Sequence, residues 1–192
     1  AINGTTTIAS GGTLAIQAGL SGNANVTIGG ALTNAGLIKL EDTIDDSANL
    51  IIGSGSLSNE GTIQFVLDSS TNRGRTIDGS LTNTGTLDIE ESGTISLTTA
   101  NEVFNTVGGT ITVDTTKTLT VNAGTTQIGT GTVFTGLGST DLTGTHTLTV
   151  LSDFTHTSSA LAFGGTVTVG GSSTFTVGSG GNLSIAGDTF TA

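Results

Sequence analysis

The chain has 192 residues, including 31 Gly but no Pro, Cys, Met, Trp or Tyr. Its formal net charge is -11 although only 10% of its residues are charged, and its four cations (Lys39, Arg73, Arg75 and Lys117) are scattered. These properties exclude a basic nucleic-acid surface, a disulfide framework and a thiolate metal site. No apolar run approaches the ~20 residues that span a bilayer, so no membrane insertion is expected.

A nine-residue unit recurs along the first part of the chain. Copies occupy residues 32–40, 57–65 and 81–89, and a looser copy begins at Phe104. The glycines of this repeat lie 24 or 25 residues apart, at Gly12, Gly36, Gly61, Gly85 and Gly109. A fixed period of this size is the signature of a repeat architecture.

Each period predicts two or three short strands joined by corners of Gly, Asn and Ser. Ile28, Ile52 and Ile77 mark a second apolar alternation with the spacing of the glycines. Apolar and polar residues alternate with a period of two and β-branched residues dominate, which disfavours a helix. Strands this short are stabilised when each coil stacks in parallel on the last.

The sequence therefore predicts an all-β fold, a parallel β-helix (β-solenoid) with coils of about 24 residues. We expect one solenoid segment over residues 1–192, with regular coils in 1–116 and coils of variable length in 117–192. Its core should include one apolar column, formed by Ile38, Ile63, Leu87 and Ile111.

The recurring Leu-x-Asn-x-Gly unit resembles the β-helical shafts of repetitive bacterial surface proteins, of the filamentous-haemagglutinin and autotransporter adhesin type. This resemblance implies a right-handed parallel β-helix, export to the cell surface and a role in attachment. The absence of Met indicates a processed or excised piece of a longer product. Neither edge of the sequence shows a cap, so we expect axial contacts with itself or with adjacent solenoid segments.

Asparagines recur at one place in successive coils, at Asn34, Asn59, Asn83 and Asn105. Stacked amide side chains can pass hydrogen bonds along the axis and satisfy buried corner groups. An Asn two residues before a Gly also suits a tight corner with a left-handed residue. We expect a structural ladder here, and the periodic glycines at the corners.

Acidic residues gather after the strands that the glycines begin, and the period places Glu41, Glu90 and Asp114 in one column, which Val66 interrupts. Carboxylates on neighbouring coils could share Ca²⁺, which prefers oxygen ligands. The Gly-Gly-x-Gly-x-Asp calcium repeat is absent, so a solvated acidic edge is the favoured interpretation and no metal or other cofactor is expected.

His146 and His156 flank Asp153, so a hydrolytic triad with one of the many serines can be drawn. No Gly-x-Ser-x-Gly elbow supports it. Polysaccharide-degrading β-helices need clustered charges and aromatic platforms, and this chain has no Trp or Tyr. An enzyme is therefore the least favoured of three hypotheses, and no catalytic residue is assigned.

Ice binding is the alternative hypothesis, because outward Thr-x-Thr pairs on a flat solenoid face can order water. Such pairs are Thr110/Thr112, Thr118/Thr120, Thr147/Thr149, Thr166/Thr168 and Thr174/Thr176. In the regular half, the equivalent positions include Lys39, Gln64 and Asp88, which spoil the array. The favoured hypothesis is a non-enzymatic shaft of a secreted or cell-surface bacterial adhesin or filament.

Overall fold

The structure is a computed structural model that describes residues 1–19, 22–42, 46–66, 74–99, 101–185 and 189–191. The described residues form β-strands and no helix, and so contain no helix that could cross a membrane. The named strands pair only in parallel and stack roughly 24 residues apart, which confirms the β-solenoid.

The strands are short in the first part of the chain, and two long ones follow. In chain order they are β1 (Thr6–Ile8), β2 (Thr13–Ala18), β3 (Ala24–Ile28), β4 (Leu32–Asn34), β5 (Leu37–Asp42), β6 (Ala48–Ile52), β7 (Leu57–Asn59), β8 (Thr62–Phe65), β9 (Arg75–Asp78), β10 (Leu81–Asn83), β11 (Thr86–Ile89), β12 (Gly93–Ser96), β13 (Val103–Asn105), β14 (Thr110–Val113), β15 (Thr118–Ile128), β16 (Val133–Gly136), β17 (Ser139–Val150), β18 (Phe154–His156), β19 (Ala160–Phe163), β20 (Thr166–Gly170), β21 (Phe175–Val177), β22 (Asn182–Ile185) and β23 (Thr189–Thr191).

These strands form three faces around the axis, which we call sheets I, II and III. Sheet I contains β2, β5, β8, β11, β14 and β16, and β18 pairs with β21 at the corresponding place in later coils. Sheet II contains β3, β6, β9, β12, the first parts of β15 and β17, β19 and β22. Sheet III contains β1, β4, β7, β10, β13, the second parts of β15 and β17, β20 and β23.

The coil shortens in the second part of the chain. Thr118 pairs with Ser139, 21 residues later, whereas Asn59 and Asn83 are 24 residues apart. The shortening arises because β15 and β17 pass directly from sheet II to sheet III. At that corner of β15 the register shifts, and Ala123 and Gly124 take the left-handed conformation, with φ of 60° and 69°.

The core is a set of apolar columns that run along the axis. The predicted column is confirmed: Ile38, Ile63, Leu87 and Ile111 pair in succession and each is at most 1% exposed. Burial of each such side chain contributes roughly 1.5–3 kcal/mol.

Ile77 departs from the register that the sequence predicts. Ile28 pairs with Ile52 as expected, but Ile77 pairs with Leu50. The connection between β8 and β9 is longer than that between β5 and β6, and the two-residue shift absorbs part of the difference. Because side-chain direction has a period of two, the shift leaves Ile77 in the core.

Candidate functional site

A ladder of asparagine side chains runs inside the corner between sheets III and I. Asn34 Nδ2 donates to Asn59 Oδ1 at 2.7 Å, and Asn59 Nδ2 donates to Asn83 Oδ1 at 2.7 Å. All three residues are 0% exposed. β4, β7 and β10 position them, because each strand turns a leucine and then an asparagine inward, two residues apart.

The same amides also satisfy the backbone of the corner. Asn34 Nδ2 donates to the Thr62 carbonyl at 3.0 Å, and the Gly36 amide donates to Asn34 Oδ1 at 3.1 Å. Asn59 and Asn83 repeat the first bond with the carbonyls of Thr86 and Thr110. With both amide groups engaged inside the core, the ladder holds coils together and presents no group to a ligand.

Asn105 does not belong to the ladder, which corrects the fourth predicted position. Phe104 occupies the inward place of β13, so Asn105 points outward and its Oδ1 accepts from the Val107 amide. Thr106 takes the fourth place instead, at 0% exposed and 3.4 Å from Asn83 Nδ2. Thr132 extends the column by donating to the Thr106 carbonyl at 2.9 Å.

The periodic glycines lie where successive coils approach most closely. A Cβ atom on Gly36, Gly61 or Gly85 would overlap the carbonyl oxygen of the glycine one coil earlier. That oxygen is already engaged, since the Gly36 carbonyl accepts the Thr62 amide at 2.9 Å. None of these three glycines has a positive φ, so close packing, not a left-handed corner, requires them.

The acidic side chains on and beside the outer face of sheet I form hydrogen bonds or an ion pair with neighbouring polar side chains. Glu41 pairs with Lys39 and accepts from Gln17 Nε2 at 3.2 Å. Gln64 Nε2 donates to Asp88 at 3.2 Å and to Glu90 at 2.6 Å. Within the described residues, no group of three His, Cys, Asp or Glu side chains could hold a metal ion.

A buried ionic cluster closes the corner between sheets I and II. Glu91 is 3% exposed and Arg75 is 0% exposed, and Lys117 Nζ lies 2.7 Å from Glu91 Oε2. Burial alone would raise the pKa of Glu91, but the hydrogen bonds from Lys117 and the Ser92 amide hold that pKa below its usual value. Arg75 Nε donates to the Val66 carbonyl, and Arg73 lies outside the described residues.

The two histidines and Asp153 are not assembled into a triad. His146 Nε2 lies 2.9 Å from Thr126 Oγ1, and His156 packs against the rings of Phe134 and Phe154. Asp153 Oδ1 instead accepts from the Thr174 amide at 2.8 Å. Both imidazoles lie in the core, at 2% and 1% exposed.

The threonine pairs lie on different faces. Thr110 and Thr112 are on sheet I and Thr118 and Thr120 on sheet II, as the strand assignments show. Only sheet III brings two of the predicted pairs, Thr147/Thr149 and Thr166/Thr168, onto adjacent strands.

Sheet III differs from the other faces in charge. Threonines align there across coils, as Thr125 with Thr147 and Thr147 with Thr168. The strands of sheet III contain no Asp, Glu, Lys or Arg, whereas sheet I presents Lys39 and Asp88. The sequence could not reveal this difference without the assignment of each strand to a face.

Comparison of the chain with protein-family models, with curated proteins and with solved structures finds no match.

Proposed function

We propose that this chain is a structural shaft of a secreted or cell-surface bacterial adhesin or filament. The observation that carries the proposal is the continuous axial bonding at one corner, where side-chain hydrogen bonds link Asn34, Asn59, Asn83 and Thr106. Backbone bonds between coils run parallel to this ladder, as from the Thr62 amide to the Gly36 carbonyl. Bonds along the axis resist extension, and the enclosed apolar core resists bending.

The shaft acts mechanically and performs no catalysis. Its two imidazoles, the groups best suited to proton transfer near neutral pH, lie in the core with Thr126 and aromatic rings as neighbours. The buried carboxylate of Glu91 is engaged by Lys117. These groups serve packing inside the rod.

The partners of the shaft are further solenoid coils, either of adjacent segments or of a second copy. β1 and β3 lie at the ends of the strand order of their joined sheets. β1 has one unpaired edge, and the outer edge of β3 is paired at Ile28 alone, with Ile2. Open strand edges form hydrogen bonds with another strand of matching direction. Sedimentation at increasing concentration should show association along the axis; a single small species at every concentration would contradict it.

Force spectroscopy tests the mechanical role directly. With attachment through Thr7→Cys and Thr149→Cys on sheet III, coils should open one after another under load. Each opened coil of about 24 residues should lengthen the tether by roughly 80 Å. Extension at low force without discrete steps would contradict a load-bearing shaft.

The location of the shaft is tested separately. Antibodies against the purified chain should label intact, unpermeabilised source cells or their culture medium. Label seen only after permeabilisation would exclude the proposed cell-surface or secreted location, while the mechanical result would stand.

Ice binding is a second candidate, which the uncharged sheet III favours. Its aligned threonines form a two-dimensional array, with strands ~4.8 Å apart and alternate residues ~6.7 Å apart. The substitution Thr147→Lys should abolish thermal hysteresis, whereas Thr112→Lys on sheet I should not change it. An unaltered protein without thermal hysteresis would eliminate this candidate.

A further inference from the structure

Two histidines lie in the core of the second half of the solenoid, where the shaft function does not use them. His146 belongs to β17 and is 2% exposed, and His156 belongs to β18 and is 1% exposed. Histidine is the side chain whose ordinary pKa lies closest to physiological pH. A buried imidazole therefore couples folding to pH if nothing nearby stabilises its protonated form.

His146 is enclosed by strands on both sides. It pairs with Gly124 of β15 and with Val167 of β20, and its one close polar side-chain contact is Thr126 Oγ1 at 2.9 Å. Burial lowers the pKa of His146 from 6.5 to about 4, and the backbone of Ala123 opposes that shift only in part.

His156 lies beside a small cavity of about 90 Å³ that Phe134 and Phe154 also line. Its ring centroid is 5.6 Å from that of Phe134 and 6.4 Å from that of Phe154. Burial lowers the pKa of His156, and the backbones of Asn182 and Ser159 oppose the shift. An imidazolium against two aromatic rings in the core would lose most of its hydration.

No described carboxylate faces either imidazole. The strands packed around them, β15, β16, β19, β20 and β21, contain no titratable side chain. Asp141 of β17 lies on the outer face of sheet II, between the inward residues Thr140 and Leu142. Asp153 accepts from the Thr174 amide, and Asp188 lies outside the described residues.

The nearest cation in the sequence before this half is Lys117, which is bound to Glu91. From residue 118 to residue 192 the sequence contains no Lys, Arg or Glu at all. The electrostatic response of this half in mild acid therefore depends on its two histidines and few aspartates.

We propose that His146 and His156 make the half of the solenoid from β15 onward an acid-sensitive segment, whose coils open in mild acid while the coils from β2 to β14 stay closed. In the opened chain the imidazoles bind protons below pH ~6.5, whereas in the closed coils burial disfavours their protonation. The free energy of opening this segment is therefore at its full value above pH ~6.5, and it decreases as pH falls toward the lowered pKa of the folded histidines. Each histidine should raise the opening equilibrium of this segment about tenfold per pH unit in that window.

Two measurements on the unaltered protein test the proposal. Because the chain has only two histidines, selective ¹³C labelling gives one imidazole signal from each. The imidazole of His146 should remain neutral in the folded protein at pH 5.5, and that of His156 should titrate below pH 6.5. Amide hydrogen exchange, corrected for its intrinsic dependence on pH, should accelerate in β15–β22 between pH 7 and 5 by at least the factor of about 20 that His146 alone supplies, and little in β2–β14.

Variants separate the histidines from other acid effects. The double variant His146→Gln/His156→Phe should lose the selective acceleration, because glutamine can still reach Thr126 and phenylalanine can pack against Phe134 and Phe154. The matched control Asp88→Asn, on the outer face of sheet I, should retain it.

Three outcomes would overturn the proposal: imidazoles that titrate near pH 6.5 in the folded protein, equal acceleration in both halves, or unchanged acceleration in the double variant. If the double variant does not fold at pH 7, the titration and exchange of the unaltered protein decide alone. Acid sensitivity and the shaft function are separable, since a rod whose stability does not depend on pH would still bear load.

Discussion

At the scale of single residues, Asn59 is the middle member of the asparagine ladder. It accepts from Asn34 and donates to Asn83, both at 2.7 Å. The substitution Asn59→Leu would leave both partners with an unsatisfied buried group, at a cost of about 3 kcal/mol. Thermal unfolding should show a clearly lowered Tm, and Asn105→Leu, outside the ladder, should change it much less. Equal Tm values for the two variants would contradict the ladder.

Gly61 tests whether glycine is needed for close packing between coils. A Cβ there would meet the backbone of Ala35 and Gly36, which cannot rotate away. We expect Gly61→Ala to lower the free energy of unfolding by about 3 kcal/mol in urea titrations. Gly170→Ala is the matched control, because a Cβ at Gly170 meets nothing within 4 Å. A Gly61→Ala protein as stable as the control would disprove the close approach.

The sequence predicted Asn34, Asn59 and Asn83 because identical residues recur at the period of the repeat. The fourth ladder position was wrongly assigned to Asn105, because the repeats were aligned by residue type and not by which side chains point inward. Phe104 and Thr106 repeat the inward spacing of Leu81 and Asn83, and an alignment on the large apolar residue would have found Thr106. The chemical type changed there while the direction of the side chain did not.

At the scale of strands, the alternation along β8 can be tested at adjacent positions. Ile63 is 0% exposed and pairs with Ile38 and Leu87, while Thr62 lies on the outer surface. Ile63→Asp buries a charge without a partner and should cost several kcal/mol, seen as a large loss of Tm in circular dichroism. Thr62→Asp should shift Tm by far less. A larger loss of Tm in Thr62→Asp than in Ile63→Asp would mean that the register is wrong.

The connection between β11 and β12 places Glu91 against Lys117, which adds a different pH dependence. Because the folded pKa of Glu91 is lowered, its contribution is present above pH ~4.5 and is lost as pH falls through the folded pKa. Glu91→Gln should cost about 2 kcal/mol at pH 7. The difference from the unaltered protein should shrink below pH 4.5. A difference that persists unchanged at pH 3 would refute the ion pair.

Individual strands could be predicted because alternation depends only on neighbouring residues. The distribution of the strands over three faces could not be predicted from the sequence, because the backbone geometry of the corners determines which face each strand joins. The two-residue shift of Ile77 and the bend at Ala123 each depend on backbone geometry that a period does not encode. For the same reason the threonine pairs looked equivalent in sequence, although only two of them share sheet III.

At the scale of the whole molecule, a load-bearing shaft requires one straight rod in which every coil adds the same rise along the axis. One outward column of sheet III contains Thr7, Thr33, Ser58, Thr82, Asn105, Gln127 and Thr149 in continuous pairing. The proposed shaft function depends on this column staying straight, because a flexible chain would transmit little force. The chain has no native cysteine, so introduced ones can be labelled without interference.

Distances between paired spin labels on this column measure the rigidity of the solenoid and its rise per coil. Three double-cysteine variants combine Thr33 with Gln127, Thr33 with Thr149, and Thr7 with Thr149, which span four, five and six coil steps. We expect narrow distributions whose centres rise by ~4.8 Å per step. After subtraction of a constant label offset, the centres should lie at about 19, 24 and 29 Å. Broad distributions, or centres that do not rise in equal steps, would contradict a rigid solenoid shaft.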